Sequence, residues 1–162
     1  MNLIAVLMTV LISTQAIAAT SEVKWTEPDK YRDIDAGEEH KVKFRARVFK
    51  QLEQHFNKLA QKLPEGQVLK IKVTDIDLAG STLHGGMKRI RVIKEIHFPR
   101  MEFSYQLVDA KGVEIKSANA DLKDISFMMS SNLRYRNDFL GYEKKLLDDW
   151  FKKEFSEDTV KK

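Results

Sequence analysis

The stretch Val68-Leu-Lys-Ile-Lys-Val-Thr-Asp-Ile-Asp77 decides the fold. Leu69, Ile71 and Val73 alternate with Lys70 and Lys72, and successive side chains of a strand point to opposite faces. One face of this strand lies on a core and the other meets water. The phase then breaks. An unbroken pleat would put Asp75 and Asp77 on the core face, about 7 Å apart, and leave Ile76 and Leu78 outside. A bulge near Thr74 switches the phase and turns both carboxylates outward.

Upstream, Phe44, Val48, Leu52, Phe56, Leu59 and Leu63 recur three and four residues apart, so a long amphipathic helix is expected from about 38 to 63, ended by Pro64 and Gly66. Before it, a short strand begins at Val23 and stops at Pro28, which cannot donate to a ladder. Downstream, residues 80 to 86 read as a loop, and Ile90, Val92, Ile96 and Phe98 as one strand face interrupted by Lys94. Met101, Phe103, Tyr105 and Leu107 alternate cleanly. Asp109-Ala-Lys-Gly112 is a hairpin turn, with Val113 to Leu122 as the returning strand. A short, helix-like stretch is expected around Phe127 to Ser131. A second amphipathic helix carries Phe139, Leu140, Leu146, Leu147, Trp150, Phe151 and Phe155, with Asn137 or Asp138 as its cap and Lys152 and Lys153 near its C-terminus. Residues 159–162 read as a frayed tail. The expected class is α+β: a mostly antiparallel sheet of four to five strands with two amphipathic helices packed on one face.

Composition bounds the function. The chain has 162 residues, 28 Lys+Arg against 24 Asp+Glu and a formal charge of +4. With 43% hydrophobic and 32% charged residues it reads as globular, and 7 Gly and 3 Pro exclude collagen-like or low-complexity chains. The absence of Cys removes disulfides, thiol nucleophiles and Cys-ligated metals. Residues 1–18 read as a secretory signal peptide. The apolar run from Leu3 to Ile12 is short for a membrane span, and Ala16-Ile17-Ala18 supplies the small-residue exit, although no Lys or Arg precedes the run. Cleavage near Ala18 leaves residues 19–162 as one domain without a transmembrane span. Export to the periplasm is the expected destination, and a Cys-free chain suits that oxidising compartment.

Three segments carry a resemblance. Val23-Lys-Trp-Thr-Glu-Pro-Asp-Lys-Tyr-Arg-Asp-Ile34, Val73-Thr-Asp-Ile-Asp-Leu-Ala-Gly80, and Arg134-Tyr-Arg-Asn-Asp138 together with Leu146-Leu-Asp-Asp-Trp-Phe151 resemble a family of exported Gram-negative proteins catalogued as domain of unknown function 3016. The resemblance covers nearly all of the chain after the leader. It implies an exported single-domain protein, and it brings no catalytic or binding residues with it.

The polar residues support competing readings. Asp75 and Asp77 are either a carboxylate pair for a hard cation or for acid–base work, or charges that mark a bulged strand end and bind Arg side chains. Arg134 and Arg136 flank Tyr135. Their planar forks suit carboxylates, so they clamp Asp75, Asp77, Asp148 or Asp149 in a structural network, or else capture a small anion. Lys88, Arg89, Arg91 and Lys94 alternate with apolar residues. They form a surface for an anionic partner such as lipid headgroups or an envelope polymer, or they guard a strand edge against association. His40, His55, His84 and His97 show no metal-ligand spacing. Gly85-Gly86 lacks the spacing of a phosphate loop, and no serine sits in a nucleophile elbow. No cofactor is expected. Base-stacking aromatics are absent from the basic run, so nucleic acid is not an expected partner. The leading expectation is a non-enzymatic binding or structural module of the cell envelope, with an envelope protein or an anionic envelope component as partner. The rivals are a small-anion binder using Arg134 and Arg136, and an enzyme using Asp75 or Asp77 with His84 or Arg136.

Overall fold

The strands Thr20–Trp25 (β1) and Val68–Asp77 (β2) run parallel, Val23 beside Ile71 and Trp25 beside Val73. The helix Lys41–Ala60 (α1) joins them, the crossover that parallel neighbours require. The computed structural model describes residues 17–85, 88–129, 133–135 and 137–156. Most of the expected leader, Arg136, part of the stretch around 127–131 and the tail at 159–162 lie outside those residues. Arg100–Val108 (β5) pairs antiparallel with β2, and Glu114–Lys123 (β6) pairs antiparallel with β5. The four-stranded sheet therefore has the order β1-β2-β5-β6. It is mixed, because β1 and β2 belong to one strand–helix–strand unit while the rest are joined through antiparallel returns.

The register of β2 on β5 shifts between Val73 and Asp75, so Thr74 is the extra residue of a bulge. Leu69, Ile71 and Val73 are buried before it, and Ile76 and Leu78 after it. Asp75 and Asp77 consequently sit on the outer face. At the β5–β6 turn, Gly112 has φ +81°. The Asp109 carboxylate there accepts the Lys111 and Val113 N–H groups at 2.8 and 2.9 Å. Glycine adopts that backbone without the Cβ clash other residues meet.

Both helices cover one face. Phe44, Val48, Leu52, Phe56 and Leu59 of α1 are buried against it. Gly141–Phe155 (α2) adds Leu146, Leu147, Trp150, Phe151 and Phe155. The Trp150 ring meets Phe103 at 4.9 Å and Tyr105 at 5.3 Å, and Phe56 meets Phe103 at 5.8 Å, all edge-on. Aromatic pairs prefer this geometry, and each such ring stabilises by roughly 1.5–3 kcal/mol on full burial. Lys24, Lys70, Lys72 and Asn119 on the opposite face meet solvent.

Several elements differ from expectation. α1 begins at Lys41 rather than near 38, because Gly37 at φ +83° and two further bends precede it. α2 begins at Gly141, and Asp138 acts one step earlier by accepting the Leu140 N–H at 3.1 Å. Phe139 is 44% exposed rather than core, its ring lying 4.1 Å below the Arg47 guanidinium. The largest difference lies between β2 and β5. Residues Ser81–Gly85 (β3), expected as loop, and Lys88–Val92 (β4) form a separate two-stranded sheet. The strand expected to run on through Phe98 stops at Val92, and a turn closed by His97 N–H on the Lys94 carbonyl leads into β5.

Candidate functional site

The basic run Lys88 to Lys94 divides according to the pleat of the β3–β4 hairpin. Thr82 stands opposite Arg91, and Leu83 opposite Ile90. Alternation puts Arg89 and Arg91 on one face and Lys88, Ile90 and Val92 on the other. The arginine face lies on the segment that follows β1. Arg91 donates to both oxygens of Asp33, at 3.2 and 3.1 Å, and to the Asp35 carbonyl at 2.9 Å. It also reaches the Leu78, Ala79 and Gly80 carbonyls at 2.6, 2.9 and 3.0 Å. Only 15% of its side chain is exposed. A guanidinium has five N–H groups in a rigid fork, so six acceptors use it fully and one hydrogen is shared. Arg89 donates to Asp35 at 2.7 Å. The Gly37 N–H, and after it Arg89, hold the Asp35 carboxyl below its usual range against some burial. A side chain on Gly37 would collide with the Arg89 carbonyl, and one on Gly80 with the Val92 carbonyl. The hairpin is thus docked, and two of its four expected surface cations are spent in docking it. Lys88 and Lys94 are exposed and have no carboxylate within ion-pair distance among the described residues.

Asp75 and Asp77 stand two residues apart on the outer face, each with its own partner. Asp75 accepts the Arg32 backbone N–H at 2.8 Å and faces the Arg32 guanidinium at 3.0 Å, which also donates to Glu102 at 2.7 Å. Asp77 lies 3.9 Å from Arg100. Asp33 bridges to Asp77 along the edge of β2. Burial, and after it the Asp33 carboxylate, push the Asp77 carboxyl up. Neither Asp meets Arg134, and the side chain of His84 is outside the described set.

Arg134 lies in a short 3-10 turn, Leu133–Tyr135, ahead of α2. Its guanidinium is 58% exposed and stands 3.3 Å from Asp148. Asp148 has closer partners. Tyr135 donates its hydroxyl to Asp148 at 2.8 Å, and His55 Nε2 lies 3.0 Å from the other oxygen. Burial works to raise the Asp148 carboxyl, yet the hydrogen bonds from His55 and Tyr135 hold it below the ordinary value. The Tyr135 hydroxyl is pushed up to about 12, by burial first and then by Asp148. Asp149, one residue on, points elsewhere and pairs with Lys145 at 2.6 Å.

Around this knot lies a cavity of about 150 Å³ lined by Gln51, Gln54, His55, Lys58, Tyr135, Asp138 and Lys144. Lys144 donates to Asp138 at 2.6 and 2.8 Å and to Gln51 at 2.8 Å. Burial alone would raise the Asp138 carboxyl, and the bonds from Lys144 and the Leu140 N–H hold it down. Sequence spacing misses His55, Tyr135 and Lys144. His55 occupies a polar-looking turn of α1, and its acid is 93 positions away. Glu143 is missed as well. Only 3% exposed, it accepts the Ala79 N–H at 2.7 Å, and burial raises its carboxyl strongly enough to outweigh that bond. Among the described residues no three His, Asp or Glu side chains gather to hold a metal ion, and no helix is long and apolar enough to cross a membrane.

No curated protein and no solved structure matches the chain. The segments that fix the geometry above, from the β1 edge through the bulge and the Arg134 turn to most of α2, lie within residues 19–153, which match a family described as protein of unknown function, DUF3016, and the chain belongs to that family.

Proposed function

We propose that the chain is exported, loses its leader after Ala18, and works in the periplasm as a non-enzymatic module that binds an anionic component of the cell envelope. The observation that carries the binding half is the division of labour on the hairpin. Arg89 and Arg91 hold it to the body, while Lys88 and Lys94 are held in solvent without acidic partners among the described residues. Unneutralised cations carried on or beside a docked strand attract an anion without the backbone having to be ordered first. A binding role over a chemical one is supported by the acids and arginines considered above. The Asp75–Asp77 pair stands apart from Arg134 and from Asp149, and each of these groups has a partner of its own. Export is supported by the Ala16-Ile17-Ala18 exit and by a family match that starts at Ala19.

Two measurements test this. Cell fractionation with mass determination should find the chain in the periplasm starting at Ala19. An intact chain in the cytoplasm refutes the export half. The purified chain should be retained on an immobilised polyanion at low salt, and the Lys88→Glu/Lys94→Glu double variant should elute at clearly lower salt. Equal elution of the two refutes the assigned surface.

A further inference from the structure

Resting on that reading, we propose that the anionic component is a lipid bilayer surface, and that the β3–β4 end of the molecule seats apolar side chains in its headgroup layer. The described residues include twelve exposed large apolar side chains, and seven of them emerge from this one end. Leu83 and Ile90 are 37% and 56% exposed and stand directly opposite each other on the hairpin. They share the face that carries Lys88, the face turned away from the Asp33–Gly37 segment. Ile93 and Ile96 follow on the turn, the latter 76% exposed, with Lys94 and Glu95 between them.

The rest come from the chain leaving β6. Arg100 pairs with Lys123, so the segment entering β5 and the segment leaving β6 lie at the same end of the sheet. Asp124 donates its N–H to the Pro99 carbonyl at 3.3 Å, which places the turn bearing Ile125, Met128 and Met129 at the same end of the sheet as the Ile93–Ile96 turn. Met129 is 81% exposed. Nothing in the secondary structure demands isoleucine on a solvated turn, where polar residues and glycine are the usual choice. Exposed apolar residues gathered at one end of a molecule mark an interaction surface.

A lipid surface is the occupant that fits both chemistries. Protruding Ile and Met side chains partition into the boundary between headgroups and acyl chains, and Lys on the same face meets anionic headgroups. A soluble polyanion would use the lysines and leave the isoleucines in water. Contact of this kind requires no membrane-spanning helix.

The test uses the mature chain with vesicles of phosphatidylcholine containing increasing phosphatidylglycerol, and with an immobilised soluble polyanion in parallel. Binding to vesicles should rise with phosphatidylglycerol content. The Ile93→Ser/Ile96→Ser variant should bind such vesicles at least tenfold more weakly, by loss of apolar burial, yet keep its polyanion retention. Ile96 is 76% exposed but Ile93 only 40% and packed over Gly80, so Ile96→Ser alone serves as the control: it should keep the parent's melting temperature and still bind vesicles more weakly. An Ile96→Trp variant should show blue-shifted emission on anionic vesicles and quenching by brominated acyl chains. Polyanion retention with vesicle binding indifferent to the serine changes overturns the lipid assignment and leaves the anionic reading standing. Capture of an envelope protein without vesicle binding also overturns it. Loss of both kinds of binding refutes the anionic reading itself.

Discussion

Replacing Arg91 by Ala tests whether the hairpin is held as the geometry describes. The substitution removes six hydrogen bonds of 2.6–3.2 Å. It leaves the Asp33 carboxylate, 23% exposed, without its cation, takes the Arg91 donor from the Leu78, Ala79 and Gly80 carbonyls, and leaves the Asp35 carbonyl with only the Thr82 hydroxyl at 3.4 Å. Leaving one member of a fully buried pair alone costs about 3–5 kcal/mol, and each abandoned buried acceptor about 1–3. Partial exposure lets water reach several of these groups, so a total near 3 kcal/mol is expected. Against a typical stability of about 5–15 kcal/mol that is a large fraction. For a chain of this size it lowers the melting temperature by roughly 10 °C.

Arg91→Lys should fall between parent and Ala, because an ammonium has three donors and no planar fork for the Asp33 carboxylate. Lys88→Ala, on the same strand but facing solvent, should change nothing measurable. Urea and thermal unfolding followed by circular dichroism give the global effect. Hydrogen exchange of the residue 88–92 amides shows whether the hairpin detaches locally instead. If Arg91→Ala keeps its stability within about 1 kcal/mol and those amides stay equally protected, the anchoring argument is wrong.

Further outcomes follow from the same geometry. Arg134→Ala should cost less than about 1 kcal/mol, since an exposed ion pair at 3.3 Å is worth little, whereas Asp148→Ala should cost about 2–4 by stranding His55 and Tyr135; comparable melting temperatures for the two would reverse the assignment. The Asp138 and Asp148 carboxyls lie below their ordinary value of 3.8 in the folded chain, so their stabilisation is present above that pH and is lost as pH falls through the lower folded values. Asp148→Asn should therefore show a shallower loss of stability in acid. Glu143 has the opposite sign. Its contribution is complete below the ordinary 4.5 and is lost as pH rises from there through the raised folded value. Glu143→Gln should gain on the parent steadily as pH climbs above 4.5 in denaturant titrations. Deleting Thr74 should leave the fold intact, because it closes the bulge into an unbroken alternation with Ile76 still inward and Asp75 and Asp77 still outward; a variant that fails to fold would place the extra residue elsewhere.

Local pattern made much of this fold legible, and pairing across long separations did not. The α1 stripe from Phe44 to Leu59 and the β5 alternation repeat on the period of their own element, and burial follows them residue by residue. The bulge at Thr74 was readable because two incompatible phases of apolar residues meet there. The β3–β4 hairpin was missed for a physical reason. Its Leu83 and Ile90 face water and its Arg91 faces inward, so the rule that apolar residues point to the core misleads on both counts. In the polar network, Arg134 and Asp148 are 14 positions apart, close enough for sequence to offer the pair among several. The His55–Asp148 contact is not legible, because nothing near His55 in the chain announces an acid 93 residues on.

Arginine and lysine in the run Lys88 to Lys94 take different tasks because of their chemistry. The planar fork of Arg91 matches a carboxylate and converging carbonyls at once, a load that an ammonium cannot carry. Lys88 and Lys94 have flexible stems and strongly hydrated heads, and they stay outside. A count of basic residues merges these roles, although only the lysines remain free for a partner. Exchanging the types separates the two effects. Arg91→Lys should loosen the hairpin, whereas Lys88→Arg/Lys94→Arg should preserve both the melting temperature and polyanion retention. If instead Arg91→Lys leaves the hairpin amides fully protected and the lysine replacements destabilise the chain, the docked face has been assigned to the wrong side of β4.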